Sequence, residues 1–255
     1  MIEIEVPPGF VVRTEAQKAA FDNGYRLERG LESGWLRFGS TTANGDVWIA
    51  GASKNGPWLL SLQYPDVAAE IGIHPSQVTS GPGAATYVFD RLDGLHSALD
   101  RTYRLGVSLP SAPLNRFRVA TENMSQTTEA ECQAVRRIGQ TVFRQALLDY
   151  WNGRCPLTGI TDEPLLRASH IVAWADCGTD ALRLDVHNGL LLSALWDAAF
   201  DGGLVSFADD GTVIVSAKLT SSAATILGLN RQKTLVGLTN AHRTNLALHR
   251  LKHRF

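Results

Sequence analysis

A chain of 255 residues, 44% hydrophobic and 19% charged, holds enough apolar material for one large domain or two ordinary ones, and this composition excludes wholesale disorder. No apolar run approaches the ~20 residues that a membrane span needs. The acidic start MIEIEVPPGF lacks the basic and apolar regions of a secretion signal, so the expected location is cytoplasmic. The net charge of −1 argues only weakly against a nucleic-acid partner, because the charge is unevenly spread.

Residues 1–65 read mostly as strands. EIEV, GFVV, WLRFG, GDVWIAGA and WLLSLQ are short and rich in β-branched and aromatic residues. Asn23-Gly24, Asn44-Gly45 and Asn55-Gly56 punctuate them as turns that need positive φ. A helical stretch is expected over 66–71. A longer one is expected over 84–106, with Tyr87, Val88, Leu92, Leu95, Leu99 and Tyr103 at roughly helical spacing. These elements make residues 1–110 an α+β domain of unassigned role. The next stretch, VSLPSAPLNRFRVATENMSQTT, has two prolines and no clear period. It reads as a connection, which sets the linker at 111–128 and a second domain at 129–255.

That second domain opens with Thr128-Glu129-Ala130-Glu131, a threonine followed three residues on by a glutamate, which fits a helix capping box. Val135, Ile138, Val142, Ala146 and Leu147 mark an apolar face, and Gly153 stops the helix. RCPLTG is turn-like, and LLRASHIVAW is a strand. A polar loop, ADCGTDALRLDVH, leads to the short apolar strand NGLLL. Ser193 suits the N-cap of a short helix, ALWDAAFD, closed by Gly202-Gly203. LVSF and TVIVS form a hairpin around Asp210-Gly211. The tail, 219–255, reads as helix, loop and a final basic helix.

Charge follows this order. Residues 1–115 carry 9 basic and 12 acidic groups, residues 116–210 carry 8 and 13, and residues 211–255 carry 7 and none. Seven cations with His242, His249 and His253 make either a phosphate-contacting surface or a solvated helix face. Cys132, Cys155 and Cys177 form no CxxC pair, which argues against a disulfide framework or a four-cysteine zinc knuckle.

The order strand–His170, loop, Asn188–strand, short helix with a carboxylate is a ββα arrangement. Phosphodiester hydrolysis needs a base active near neutral pH, a cation to neutralise the scissile phosphate, and a group to orient the base. If the two strands pair, His170 and Asn188 meet at one end. Here the residues resemble a family. Arg154-Cys155-Pro156-Leu157-Thr158-Gly159, Ala168-Ser169-His170-Ile171, Asn188-Gly189-Leu190-Leu191-Leu192 and Phe200-Asp201-Gly202-Gly203-Leu204 look like the HNH (ββα-metal) endonuclease domain of bacterial restriction-type proteins. The resemblance reaches upstream to Gly139-Gln140-Thr141-Val142-Phe143-Arg144 and downstream to His249-Arg250, covering about residues 130–255.

The resemblance implies an α+β fold with a C-terminal ββα-metal nuclease domain. His170 would be the general base, and Asn188 would orient it or assist the metal site. The third motif position falls on Asp197, where the family often has histidine. A carboxylate there suits one Mg²⁺ or Mn²⁺ ion per site. Ser169 stands where many members of the wider superfamily have an acidic ligand. The missing ligand would come from Asp185, His187 or Asp201, and Asp201 lies one turn after Asp197 on the same helix face. Arg154, Arg250, Lys252 and Arg254 are the candidate nucleic-acid contacts. Each residue also has a plain reading: packed histidine, turn asparagine, solvated aspartate, surface arginine.

The implied activity is metal-dependent DNA cleavage to 5′-phosphate and 3′-hydroxyl ends in restriction or phage defence. A homodimer would place two sites on the two strands of a duplex, modified or not. The rival is an HNH-fold DNA-binding or sensing protein with weakened catalysis. A secreted nuclease toxin is disfavoured by the absence of an export segment, and RNA as substrate stays open. Trp35, Trp48 and Trp58 in the first block read as core ahead of a base-stacking platform.

Overall fold

In the computed structural model, which describes residues 2–77, 79–125, 127–231 and 233–255, the apolar run GFVV opens a helix, not the expected strand. This helix, α1 (Phe10–Asp22), buries Val12, Ala16, Ala19 and Ala20 along one face and leaves Phe10 exposed. The β-branched start misled; the alanine spacing at i, i+4, i+7 and i+8 is the helical signal. EIEV forms no strand, although the Glu5 N–H donates to the Gly51 carbonyl at 2.9 Å.

Five antiparallel strands follow, in spatial order β1 (Leu27–Glu32), β2 (Trp35–Gly39), β3 (Val47–Gly51), β4 (Trp58–Leu62) and β5 (Ala85–Phe89). α2 (Pro65–Glu70) lies between β4 and β5 in the chain, and α3 (Leu92–Ser108) follows β5. The helix expected over 84–106 is therefore a strand and a helix. Tyr87 and Val88 pair with Leu60 and Leu59 in the sheet, and the helical phase begins at Leu92. β3 and β4 are buried along their whole length. Helices α1 and α3 pack on the sheet, while Trp35, Trp48, Ala50 and Leu59 form a cluster with Ile2, Ile4 and Val88. Trp35, Trp48 and Trp58 are at most 6% exposed, so all three are core.

Contacts divide the chain into two compact units, Met1–Ala112 and Pro113–Phe255. The stretch expected to be a linker contains α4 (Ser111–Thr121). Pro113 sits in its first turn, where a missing N–H costs no helical hydrogen bond.

α5 (Glu129–Tyr150) opens as the sequence predicts: Thr128 Oγ accepts from the Glu131 N–H at 3.3 Å, and the Glu131 carboxylate accepts from the Thr128 N–H at 3.0 Å. β6 (Leu166–His170) comes next, then α6 (Asp180–Arg183), β7 (Gly189–Ser193) and α7 (Ala194–Asp201). β6 and β7 pair antiparallel, and both α5 and α7 pack on that hairpin. Gly189 is needed for close approach: a Cβ there would lie 2.5 Å from Phe143 Cζ. β8 (Val205–Phe207) and β9 (Val213–Val215) form the expected second hairpin; α8 (Ser221–Ile226) and α9 (Asn240–His253) complete the chain. The fold is α+β, with the ββα element in the C-terminal unit. Among the described residues no helix is long and apolar enough to cross a membrane.

Candidate active site

His170 ends β6 directly opposite Gly189, the first residue of β7. The two strands therefore bring His170 and Asn188 to one end of the hairpin, as their order in the sequence implies. The His170 ring stacks on Phe143 of α5, centroids 3.8 Å apart and planes at 17°, and meets the ring of Trp174 edge-on at 5.6 Å. Its Nε2 lies 2.9 Å from the Arg183 carbonyl oxygen. A carbonyl only accepts, so in the neutral ring Nε2 carries the proton and Nδ1 keeps the lone pair. Burial lowers the His170 pKa below its ordinary 6.5; the bond to Arg183 and the negative charge of Asp201 oppose the shift without reversing it. The neutral, base-competent form therefore predominates at neutral pH.

Asn188 is fully buried. Its Oδ1 accepts from the Val172 N–H at 2.8 Å, and its Nδ2 donates to the Val172 and Leu182 carbonyls, each at 3.1 Å. The Asn188 backbone carbonyl also accepts from the Ile171 N–H at 3.0 Å. The side chain is spent on the two ends of the loop that leaves and re-enters the site. The side-chain oxygen is buried and already accepts the Val172 N–H, and the His170 ring takes its hydrogen bond from the Arg183 carbonyl.

α7 lies across β6 and carries the carboxylates. Asp197 is half-buried and accepts a hydrogen bond from the Ser169 hydroxyl. Burial raises its pKa, Asp201 one turn later raises it further, and Ser169 and Arg167 oppose the rise. Asp201 is exposed, and its charge acts on Asp197, His170, His249 and His253. Asp185 and His187 are spent elsewhere: the Asp185 carboxylate receives the His187 Nδ1–H at 2.9 Å and the His187 backbone N–H at 2.8 Å. Among the described residues no three His, Cys, Asp or Glu side chains stand close enough together to hold an ion by themselves.

The expected phosphate contacts divide. Arg250 donates to the Phe207 carbonyl at 2.7 Å and pairs with Asp209 at 2.8 Å, so it pins α9 to β8. Lys252 pairs with Asp176 at 2.8 Å, both half-exposed. Arg154 donates to the Gly159 carbonyl at 3.2 Å. Arg254 is exposed just beyond α9, at φ 60°. His249 is a packing residue, flat against Phe200 at 3.9 Å. Its Nε2–H donates to the Phe200 carbonyl, and its Nδ1 accepts from the Ser206 hydroxyl. Burial and the neighbouring His253 push its pKa down to about 4.

Residues 155–208 match the family model described as HNH endonuclease. This stretch is the part of the chain similar to HNH endonucleases. The match spans β6, β7, α7 and β8, and contains His170, Asn188 just before β7, and both carboxylates. It agrees with the motif reading of the sequence and marks the domain as one of nuclease type. No curated protein matches the chain at a significant level.

Two residues around His170, Trp174 and Arg183, were not singled out in the sequence, and Phe143 entered there only as part of the upstream helix. Gly139 was their available signal. A Cβ on it would stand 2.4 Å from the Trp174 ring, so this glycine is where α5 makes room for the wall of the histidine pocket.

Proposed function

We propose that the C-terminal unit hydrolyses phosphodiester bonds in double-stranded DNA, with His170 as general base. One observation carries this reading: His170 Nε2 is tied to the Arg183 carbonyl, which leaves Nδ1 as the lone-pair nitrogen on a ring held between Phe143 and Trp174. Nδ1 takes a proton from water as the oxygen attacks phosphorus, and the bond from phosphorus to the 3′ oxygen breaks. The 3′ oxygen takes a proton from solvent, giving 5′-phosphate and 3′-hydroxyl ends.

HNH nucleases generally use a divalent metal ion, and the donor chemistry of α7 suits one. Asp197 and Asp201 offer hard oxygens one turn apart, and burial together with mutual repulsion leaves Asp197 with a raised proton affinity that a cation would relieve. Mg²⁺ commonly takes one or two carboxylates and fills its shell with water and phosphate, so a third protein ligand is not required. When bound, such an ion neutralises the scissile phosphate and the leaving oxygen. Asn188 positions the loop around the base and does not ligate. Arg254, with Lys252 released from Asp176, meets the DNA backbone. A role in restriction or phage defence, in the cytoplasm and as a homodimer, extends this reading from the family resemblance.

The test is cleavage of supercoiled plasmid and of modified phage DNA with Mg²⁺, Mn²⁺ or EDTA, using the wild type and His170→Ala. Nicking that needs the metal and His170 is expected. Metal-dependent nicking that survives His170→Ala removes His170 from the chemistry. A second reading, a DNA-binding or sensing protein with weakened catalysis, draws on the Ser169 hydroxyl bond that already occupies Asp197. Tight DNA binding without cleavage of any substrate would favour it.

A further inference from the structure

The excursion between β6 and β7 supplies both the wall and the anchor of the His170 pocket. Its early part carries Trp174, whose ring edges against His170; its late part carries the Arg183 carbonyl that receives Nε2–H. Asn188 fastens this excursion at Val172 and Leu182 and reaches the Cys177 thiol between them at 3.4 Å. The Arg183 guanidinium fastens what lies between. Its Nη2 donates to the Cys177 carbonyl at 2.7 Å, its Nε to the Trp174 carbonyl at 3.3 Å and its Nη1 to the Asp180 carboxylate at 2.8 Å. The same group lies 5.8 Å from the centre of the Trp174 ring.

We propose that Arg183 is the positioning residue of the general base: its side chain holds Trp174 while its own carbonyl selects the Nε2–H tautomer of His170. Wall and anchor are thus set by one residue, so the imidazole cannot shift against one without the other. A planar fork with donors on three sides is what the geometry uses, and a lysine, with one point charge, cannot reproduce it. Without the fork the carbonyl of residue 183 drifts, the Nε2–H bond opens, and Nδ1 is no longer aimed. The consequence for cleavage rests on His170 being the base; the consequence for the imidazole proton does not.

The experiment compares the full chain with Arg183→Gln and Arg183→Lys. The first readout is the His170 Nε2–H resonance, visible by NMR in histidine-labelled protein because a hydrogen-bonded, shielded proton exchanges slowly with water. The second is the split between kcat and KM for plasmid nicking with Mn²⁺. In folded Arg183→Gln the resonance is lost and kcat falls about tenfold to a hundredfold, while KM stays within about twofold. Arg183→Lys loses the resonance too. A folded Arg183→Gln with the resonance and kcat of the wild type overturns the proposal. If Arg183→Gln does not fold, Arg183→Lys decides on the same readouts: a lost resonance with lowered kcat supports it, and wild-type values overturn it. The resonance needs neither DNA nor metal. A wild type that shows it but cuts nothing defeats the nuclease reading alone, and one that cuts with unaltered Arg183 variants defeats only the positioning claim.

Discussion

The two sides of the HNH site are built to different standards. On the side of β6, His170 is enclosed: stacked on Phe143, edged by Trp174, bonded to Arg183 and backed by a loop that Asn188 staples through hydrogen bonds to Ile171, Val172, Leu182 and Asp185. On the side of α7, one carboxylate is half-buried beside a second that repels it, and a serine hydroxyl is the hydrogen-bond partner that lowers its proton affinity. Orientation of a neutral imidazole can be completed by the fold alone, because its partners are backbone groups. Two neighbouring anions cannot be settled by backbone; their arrangement is tuned by what binds them. The base side is therefore preorganised and the carboxylate side is responsive.

Substitutions can break or sharpen that contrast. His170→Ala should have the largest effect, lowering cleavage by about 10²–10⁴-fold with far-UV CD unchanged; a smaller loss would mean that the enclosed ring is not the base. Asn188→Ala should destabilise the C-terminal unit by about 2–4 kcal/mol, since it leaves buried backbone groups without partners, and urea unfolding measures this. A stable Asn188→Ala that fails only in metal binding would return Asn188 to the ligand set. His249 gives a pH test. Its folded pKa is about 4, below its ordinary 6.5. Above pH 6.5 neither state is protonated there and nothing changes. As pH falls from about 6.5 to about 4 the unfolded chain gains a proton that the folded chain refuses, and stability drops by up to roughly 2–3 kcal/mol. In His249→Gln the melting temperature should fall less steeply across that window than in the wild type.

On the responsive side the effects are smaller. Asp197→Asn and Asp201→Asn should each weaken Mn²⁺ binding by about tenfold, read by calorimetry, while the His170 Nε2–H resonance stays in place. If that resonance disappears, the two sides are not independent. Lys252→Ala should change stability by no more than roughly 0.2–1 kcal/mol, since its partner Asp176 is half-exposed. A clear drop in DNA affinity in that variant would assign Lys252 to phosphate contact.

What the sequence disclosed follows the range of the forces involved. The capping box at Thr128 is local, and it forms as written. The strands around Trp48 and Leu59 were visible because fully buried strands read as apolar runs. β1 was missed because all six of its residues are exposed, so no alternation marks it. β5 and α3 merged into one expected helix because Tyr87 and Val88 fall by chance in phase with Leu95 and Leu99. At the site, what the sequence disclosed is placement: the order of the strands puts His170 and Asn188 at one end of the hairpin, and there they stand. Arg183 was not legible, because its partners are carbonyls of Trp174 and Cys177, and carbonyls belong to every residue and leave no mark in a sequence.

The staple at Asn188 also bears on how long the protein keeps. An asparagine followed by glycine is the pair most prone to lose its side-chain amide, through attack by the glycine nitrogen on the side-chain carbonyl carbon. Here that carbonyl oxygen accepts the Val172 N–H, the amide nitrogen is held by two carbonyls, and Gly189 is fixed in β7 opposite His170. The attack geometry is closed while the unit is folded and opens only when it unfolds. Chemical ageing of Asn188 should therefore track the unfolding rate, and conditions that slow opening should also slow the irreversible loss of the clamp behind the base.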